Sequence, residues 1–423
     1  MRDNKDRPVV VVTGIGIVTS LGVGQKDNWQ ALTAGQTNVG TITRFSTEGM
    51  RTRIAATVDC GDFEDYSSPS HTLSMAVSST TEAVAQAGIS KAGDFPGPMF
   101  LATSPTEIEW THRKRLYNEV GGSDAAGYDR LMEAAKKINH PGLHGLFQYG
   151  YVADVLADKF RTQGQPISLT TACASGATAI QLAVEAIRRG ETEAALAIGT
   201  DGSVHPESLV RFSLLSALST HNDDPKKAEK PFSKDRGGFV MGEGAASLVL
   251  ESYNHAKARG ATILGVIRGC GERADVFHRT RSSPDGSAVI NTLKNALDDA
   301  GVTAGDIDYI NAHGTGTPEN DKMECASLTA VFGDHMSHVP ISSNKSEIGH
   351  TLTAAGAIEA VFSLLTLSSG TLPPTINYDM PDPEIPLDVV PNVKRDCQVN
   401  AILSNSFGFG GQNVCLVLGG EPA

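Results

Sequence analysis

Short, uninterrupted apolar runs joined to segments of helical period recur at corresponding places in the two halves of this chain. The first half opens on the valine run at residues 9–12, continues through a helix end at 83–90, and reaches the apolar run 99–103. The second half opens on 263–267, continues through 296–303 with Gly301 as helix C-cap, and reaches 309–313. Further runs at 194–198 and 245–250 are apolar throughout rather than alternating, the pattern of strands covered by helices on both faces. The fold class read from this is α/β, with a duplicated βαβ plan. The division is expected near Tyr253 to Gly260, giving units 1–256 and 257–423. Residues 104–150, with Glu107, Trp110, Arg113 to Arg115, Gly121, Gly122, His140 and Pro141, break the plan and read as an inserted, partly helical excursion. Gly14 and Gly16 follow the first apolar run as a dinucleotide loop would, but Thr19 stands where a third glycine is needed. The pair is expected to make a tight strand-to-helix connection.

A chain of 423 residues, 40% hydrophobic and 20% charged, has ample material for a large core. No apolar stretch approaches the roughly 18 to 20 residues a membrane span needs, and the run at 9–12 is too short for a secretory signal core, so the chain is expected to be cytoplasmic. The net charge of −13 argues against non-specific nucleic-acid binding, which needs a positive footprint. Six cysteines (Cys60, Cys173, Cys270, Cys325, Cys397 and Cys415) show no paired spacing, so neither a disulfide framework nor a metal site is expected.

Cys173 differs from the others in its setting. It follows the apolar stretch 167–172 and precedes a segment with Ile180, Val184 and Ile187 on one helical face, closed by Arg188, Arg189 and Gly190. A thiol at a helix N-terminus meets free backbone N–H groups and the positive end of the dipole, which favour thiolate by about 0.3–1 kcal/mol. The expected result is a thiol pKa lowered by about one pH unit from the ordinary 8.5 or so. Of the twelve histidines, two share a comparable context. His313 ends an apolar run and enters Gly314-Thr315-Gly316-Thr317-Pro318, while His350 follows Gly349 ahead of the helix-like 353–359.

The segment Thr170-Thr171-Ala172-Cys173-Ala174-Ser175-Gly176 resembles the nucleophile turn of the β-ketoacyl-acyl-carrier-protein synthases. Asn311-Ala312-His313-Gly314-Thr315-Gly316-Thr317 and Asn344-Lys345 through Gly349-His350 resemble that family's paired histidine motifs. The resemblance implies a thiolase-like fold, two βαβ-rich halves in a layered αβαβα sandwich. It also implies a decarboxylative Claisen condensation between an acyl-enzyme thioester and malonyl-acyl carrier protein. In that scheme Cys173 is the nucleophile. His313 and His350, kept neutral, donate to the developing oxyanion, and Lys345 paired with Glu359 orients them. Ser404 through Gly411 matches the family's glycine loop, so the Phe409 N–H is assigned to the oxyanion hole and the rings of Phe407 and Phe409 to gating, although a Gly-rich turn between strands is equally a plain hairpin. Thr315 and Thr317 match positions that bind the pantetheine arm. The resemblance further implies acyl carrier protein as partner, a homodimer, no cofactor and no metal. An acidic carrier needs a basic patch on this acidic body. The candidates are Arg113 to Arg115, Lys136 with Lys137, Lys226 with Lys227, and Arg279 with Arg281.

Three departures concern the substrate. The stretch 102–107 replaces a glycine-rich turn beside the acyl pocket, the segment after it is long, and Ser67 to Thr72 replaces a basic cluster, which points to a specialised elongating synthase. A chain-initiating relative is expected to carry Asn in place of His350. A degradative thiolase needs a second cysteine in a Cys-x-Gly loop, which Cys415 does not supply. A polyketide-type ketosynthase, a non-catalytic chain-length partner subunit and a generic cysteine hydrolase remain as alternatives. The partner subunit would lack the thiol, and the hydrolase would release free acid.

Overall fold

Val10–Thr19 and Gly265–Ala274, the first long strands of the two halves, run antiparallel side by side, with Val10 opposite Ile267 and Val12 opposite Gly265. The computed structural model describes residues 1–59, 67–90, 94–105, 109–119, 125–137 and 141–421, and it repeats one plan outward from that seam in both directions. On one side follow Gly244–Ser252, Ala194–Asp201, Met99–Thr103 and Ile167–Leu169. On the other follow Gln412–Gly419, Ala401–Phe407, Tyr309–Asn311 and Pro340–Ser342, with Asp388–Val389 at the far edge. Leaving that edge strand aside, each set of five, numbered by chain order, reads 3-2-4-5-1 toward the seam. The duplication legible in the sequence is therefore a repetition of topology.

Helices Ser175–Arg188 and Ala355–Ser369 pack on each other and on strands of both sets, forming the middle layer. Ser68–Ala87 covers the outer face of the first set and Ser287–Ala300 that of the second, which gives the five αβαβα layers. The two central helices approach at backbone distance. A Cβ on Gly176 would sit 2.5 Å from the Ala357 nitrogen, and one on Gly356 would sit 2.6 Å from the Ala177 nitrogen. Only glycine allows that approach, which brings the N-terminal turns of the two helices into backbone contact.

Gly14 and Gly16 lie inside the first strand rather than in a turn after it. Cβ atoms there would fall 2.1 Å from the Ala83 carbonyl oxygen and 1.9 Å from that of Ser79, so the glycines let the outer helix press on the strand. Gly269 and Gly271 do the same against Ala296 and Thr292 in the second half. Glycines inside strands are thus why the apolar runs at 9–12 and 263–267 underestimate strand length.

The segment expected to divide the halves is partly helical, Tyr253–Ala258, and leads into the seam strand. The excursion at 104–150 carries helices Trp110–Glu119, Gly127–Lys137 and Pro141–Phe147, while Cys60, Glu107, Gly121, Gly122 and His140 lie outside the described residues. The absence of any span-length apolar stretch needs correction. The window Leu352–Ser369 reaches a mean hydropathy of 1.5 over 18 residues, because it is the middle-layer helix with its preceding turn, and 78% of it is buried in the protein.

Candidate active site

Cys173, His313 and His350 face one cavity of about 800 Å³, together with Thr315, Thr317, Phe407 and Phe409. The thiol reaches it through a sharp turn after Ile167–Leu169. Ala172 takes a left-handed backbone, φ 51°, and Ser175 Oγ braces the turn by accepting the Thr171 N–H at 2.8 Å and donating to the Ala172 carbonyl at 2.5 Å. A non-glycine residue in that region costs about 1–2 kcal/mol, which the surrounding bonds sustain.

The helix begins at Ser175 with Ala174 as N-cap, so Cys173 stands just outside it and is almost fully buried. The expected fall in thiol pKa does not occur. Burial pushes Cys173 up to about 11; the Phe409 N–H on the sulfur and the Lys345 charge pull the other way, and Asp201 and Glu359 push further up. Loss of water outweighs the helix end because the dipole is worth only about 1 kcal/mol. Cys173 therefore rests as a thiol.

His313 follows Tyr309–Asn311, and its backbone is clamped by a carboxylate the motifs do not reveal. Glu324, fully buried on helix Pro318–Phe332, accepts the His313 N–H at 2.9 Å, the Gly314 N–H at 2.8 Å and the Asn405 amide at 3.0 Å. His350 is held from the other side, its N–H on the Val240 carbonyl at 2.7 Å and its carbonyl on the Gly242 N–H at 2.9 Å. The two imidazoles meet edge to face, 5.4 Å between centroids, with Phe407 at 5.5 Å from His313 and Phe239 at 5.2 Å from His350. Leu352 donates its N–H to His350 Nδ1 at 3.3 Å, which leaves Nε2 to carry the ring proton.

Both imidazoles are held well below the ordinary histidine pKa, by burial first and by the Lys345 ammonium second, with His350 adding a further push on His313. Lys345 is itself fully buried and ion-paired with Glu359. Glu359 is raised to about 7, since burial outweighs the pull of that lysine. These two residues lie behind the cavity rather than on its wall. The geometry therefore supplies one thiol and two neutral imidazoles at buried positions on the wall of one cavity, an arrangement for acyl transfer and for stabilising an enolate.

Thr317 has a second task, because its hydroxyl caps helix Pro318–Phe332 through the Asn320 N–H at 3.3 Å and also lies 2.9 Å from that of Thr315. The glycine segment is a hairpin and a cavity wall at once. Phe407 pairs with Asn413, the Gly408 N–H bonds the Gln412 carbonyl at 2.7 Å, and the turn brings Phe409 over Cys173. Among the candidate basic clusters only Arg281 lines the cavity, with Arg279 exposed beside it. Thr103, Ser104 and Pro105 do not line it. They border a separate small hollow with Thr72 and His205, and Ser67 to Thr72 begin the first outer helix with Ser67 as N-cap.

The sequence descriptions "Beta-ketoacyl synthase, N-terminal domain" and "Beta-ketoacyl synthase, C-terminal domain" match residues 7–256 and 264–379. A 3-oxoacyl-[acyl-carrier-protein] synthase 2 of Coxiella burnetii is 39% identical over 97% of this chain and 98% of its own. A putative polyketide beta-ketoacyl synthase of Streptomyces cyaneus is 37% identical over the same shares. Among solved structures, a type II polyketide ketosynthase in complex with its acyl-carrier protein and bound to a hexaketide superposes with a TM-score of 0.85 at 30% identity, covering 98% of this chain and 100% of that one.

Proposed function

The chain belongs to the β-ketoacyl synthase family, and from that premise we propose that it condenses an acyl-enzyme thioester with malonyl-acyl carrier protein to give a 3-oxoacyl thioester in fatty acid elongation. The observation that carries the reading is the convergence of Cys173, His313 and His350 on one cavity, with both imidazoles neutral.

In the first half-reaction the Cys173 sulfur attacks the acyl carbonyl, the C–S bond to the carrier breaks, and the proton of the thiol leaves with the carrier's sulfur. No resting thiolate is required, which suits a thiol raised by burial. The tetrahedral oxyanion is met by the Phe409 N–H, which rests on the sulfur beforehand, and by the N–H of Cys173 itself. In the second half-reaction the malonyl carboxylate leaves as CO₂ and its electron pair forms an enolate, whose oxygen accepts from His350 Nε2–H and from His313. The enolate carbon attacks the acyl carbonyl, the C–S bond to Cys173 breaks, and the sulfur takes up one proton from solvent. Neutral imidazoles are what this step needs, because two buried imidazolium ions would carry a desolvation cost before any donation. Lys345, held in place by Glu359, maintains that neutrality, Phe407 and Phe409 gate the acyl path, and Thr315 with Thr317 receives the pantetheine arm.

The carrier docks at the cavity mouth, where Arg279 and Arg281 give an acidic partner a local positive edge. A homodimer is supported by the strand Ile167–Leu169, which ends the sheet among the described residues and whose Ile167 is 44% exposed. A cytoplasmic location is supported by the thiol of Cys173, which must stay reduced to act. A polyketide-type condensation is the second reading, favoured by the Streptomyces relative. A non-catalytic chain-length partner is disfavoured by Cys173 itself.

The test is incubation with malonyl carrier and a ladder of acyl carriers, with mass spectrometry of protein and product. The proposal expects an acyl adduct on Cys173, CO₂ and a product longer by two carbons. Free acid without CO₂ contradicts it, and repeated extension without reduction selects the polyketide reading.

A further inference from the structure

Asp201 ends the strand Ala194–Asp201, fully buried, and makes no hydrogen bond to the thiol or to either imidazole. Its two oxygens are committed to other groups. Oδ1 accepts the Ser203 N–H at 3.1 Å and the Ser203 hydroxyl; Oδ2 accepts the Thr353 N–H at 3.2 Å and the Thr353 hydroxyl at 2.7 Å. The Thr353 hydroxyl also lies 2.9 Å from the Thr200 carbonyl. Each oxygen faces a backbone N–H, so an amide's NH₂ would meet a donor on either side, and these bonds work against the burial that raises the carboxyl.

Thr353 stands three residues after His350. Between them, Leu352 holds φ 48°, a left-handed backbone that a leucine keeps only where its neighbours over-determine it. That conformation aims the Leu352 N–H at His350 Nδ1. The bonds from Val240 and Gly242 fix where the His350 backbone lies, but they say nothing about which ring nitrogen is protonated. The Leu352 N–H does.

We infer that Asp201 is a positioning residue: by pinning Thr353 it holds Leu352 in its left-handed turn, and so keeps the His350 proton on Nε2, where it can be donated to the enolate. The inference rests on the condensation reading for its catalytic consequence but not for its structural one. Asp201 has an opposite effect on the nucleophile, since its charge pushes the Cys173 thiol up. Removing that charge should therefore help the thiol while harming the histidine, two directions that a general loosening of the site would not produce.

The experiment uses the full-length protein as wild type, Asp201→Asn, Thr353→Val and Thr353→Ser. Three quantities are read: malonyl-carrier decarboxylation, the rate of Cys173 alkylation by iodoacetamide, and the His350 tautomer by ¹⁵N spectra of histidine-labelled protein. An amide at 201 serves either Ser203 or Thr353 but not both. Decarboxylation is expected to fall about 100-fold, the scale of losing one oxyanion donor, while alkylation stays level or rises and the His350 proton moves toward Nδ1. Thr353→Val should show the same split at smaller amplitude, and Thr353→Ser should recover most of the rate. Should Asp201→Asn fail to fold, the Thr353 pair decides alone, because Val exchanges the hydroxyl for a methyl of similar size while Ser keeps the hydroxyl. The inference is overturned if the tautomer is unchanged in Asp201→Asn and Thr353→Val, or if decarboxylation and alkylation fall by the same factor. If wild type releases no CO₂ yet the tautomer still shifts in the variants, the condensation reading has failed and the positioning role has not.

Discussion

Replacing Glu324 by Gln keeps the shape of the side chain and removes its charge, so it isolates what the buried carboxylate does for His313. Glu324 accepts three hydrogen bonds, from the His313 N–H, the Gly314 N–H and the Asn405 amide, at 2.8–3.0 Å and out of contact with solvent. Oε1 serves His313 and Asn405 and Oε2 serves Gly314, so the amide nitrogen of Gln is best placed against Gly314, where it faces another donor. Losing one bond to a charged acceptor costs about 1.5–3 kcal/mol, and the remaining two weaken by about 1 kcal/mol each as the acceptor becomes neutral. Relief of the burial penalty, visible in the raised pKa of Glu324, offsets part of this, leaving a net loss of about 2 kcal/mol. Felt at the His313 turn, that corresponds to about a 30-fold slower decarboxylation at 1.4 kcal/mol per factor of ten. The assay is CO₂ release from malonyl carrier, with hydrogen exchange at the Gly314 N–H as the local readout and Cys173 alkylation as the control. Unchanged decarboxylation with unchanged exchange at Gly314 would refute the claim that this carboxylate places His313.

Lys345→Met removes the charge that ranks second in holding both imidazoles neutral, while Glu359, already raised to about 7, loses the pull of that lysine and takes up a proton. Loss of the lysine charge raises the histidine pKa values, so the acid limb of the decarboxylation profile should move up in pH toward 6.5 or so, and an unmoved limb counts against the assignment. Alkylation of Cys173 should rise about tenfold per pH unit from pH 7 to about 9.5 without levelling, because burial holds the thiol near 11; a plateau below about pH 9 would show a thiolate that the geometry does not support. Gly356→Ala places a Cβ 2.6 Å from the Ala177 nitrogen, and the forced separation of the central helices should cost about 1–3 kcal/mol in a denaturant titration and slow both half-reactions. A neutral effect on both would mean that the two helices do not set the cavity.

The duplicated α/β plan and the local settings of Cys173, His313 and His350 were legible because each rests on a local pattern, whereas the five layers and the meeting of the three groups followed from the resemblance of their motifs. Unbroken apolar runs report covered strands, and a thiol or imidazole placed between such a run and a helix is already near a strand tip or a helix N-terminus. Strand ends were read less well. Gly14, Gly16, Gly269 and Gly271 interrupt the apolar signal in places where an outer helix needs room, and that need appears only once the helix is in place. The thiol pKa was misjudged for a similar reason, since the helix end is a local feature whereas burial of Cys173 depends on both halves. Glu324 and Asp201 were missed because nothing beside them in the sequence marks them. A faint signal exists for Glu324: Asp321, Glu324, Leu328 and Phe332 share a buried helix face, so two acids continue what is otherwise an apolar stripe.

All of this depends on His313 and His350 being uncharged where the enolate forms. Histidine-selective ¹⁵N spectra of the free enzyme, followed from about pH 8 down to pH 6, test that directly. Both rings are expected to remain neutral throughout, with the His350 proton on Nε2, because burial and Lys345 hold them well below the ordinary value. A ring at either position that becomes imidazolium with a midpoint near the ordinary value of about 6.5 would contradict the account.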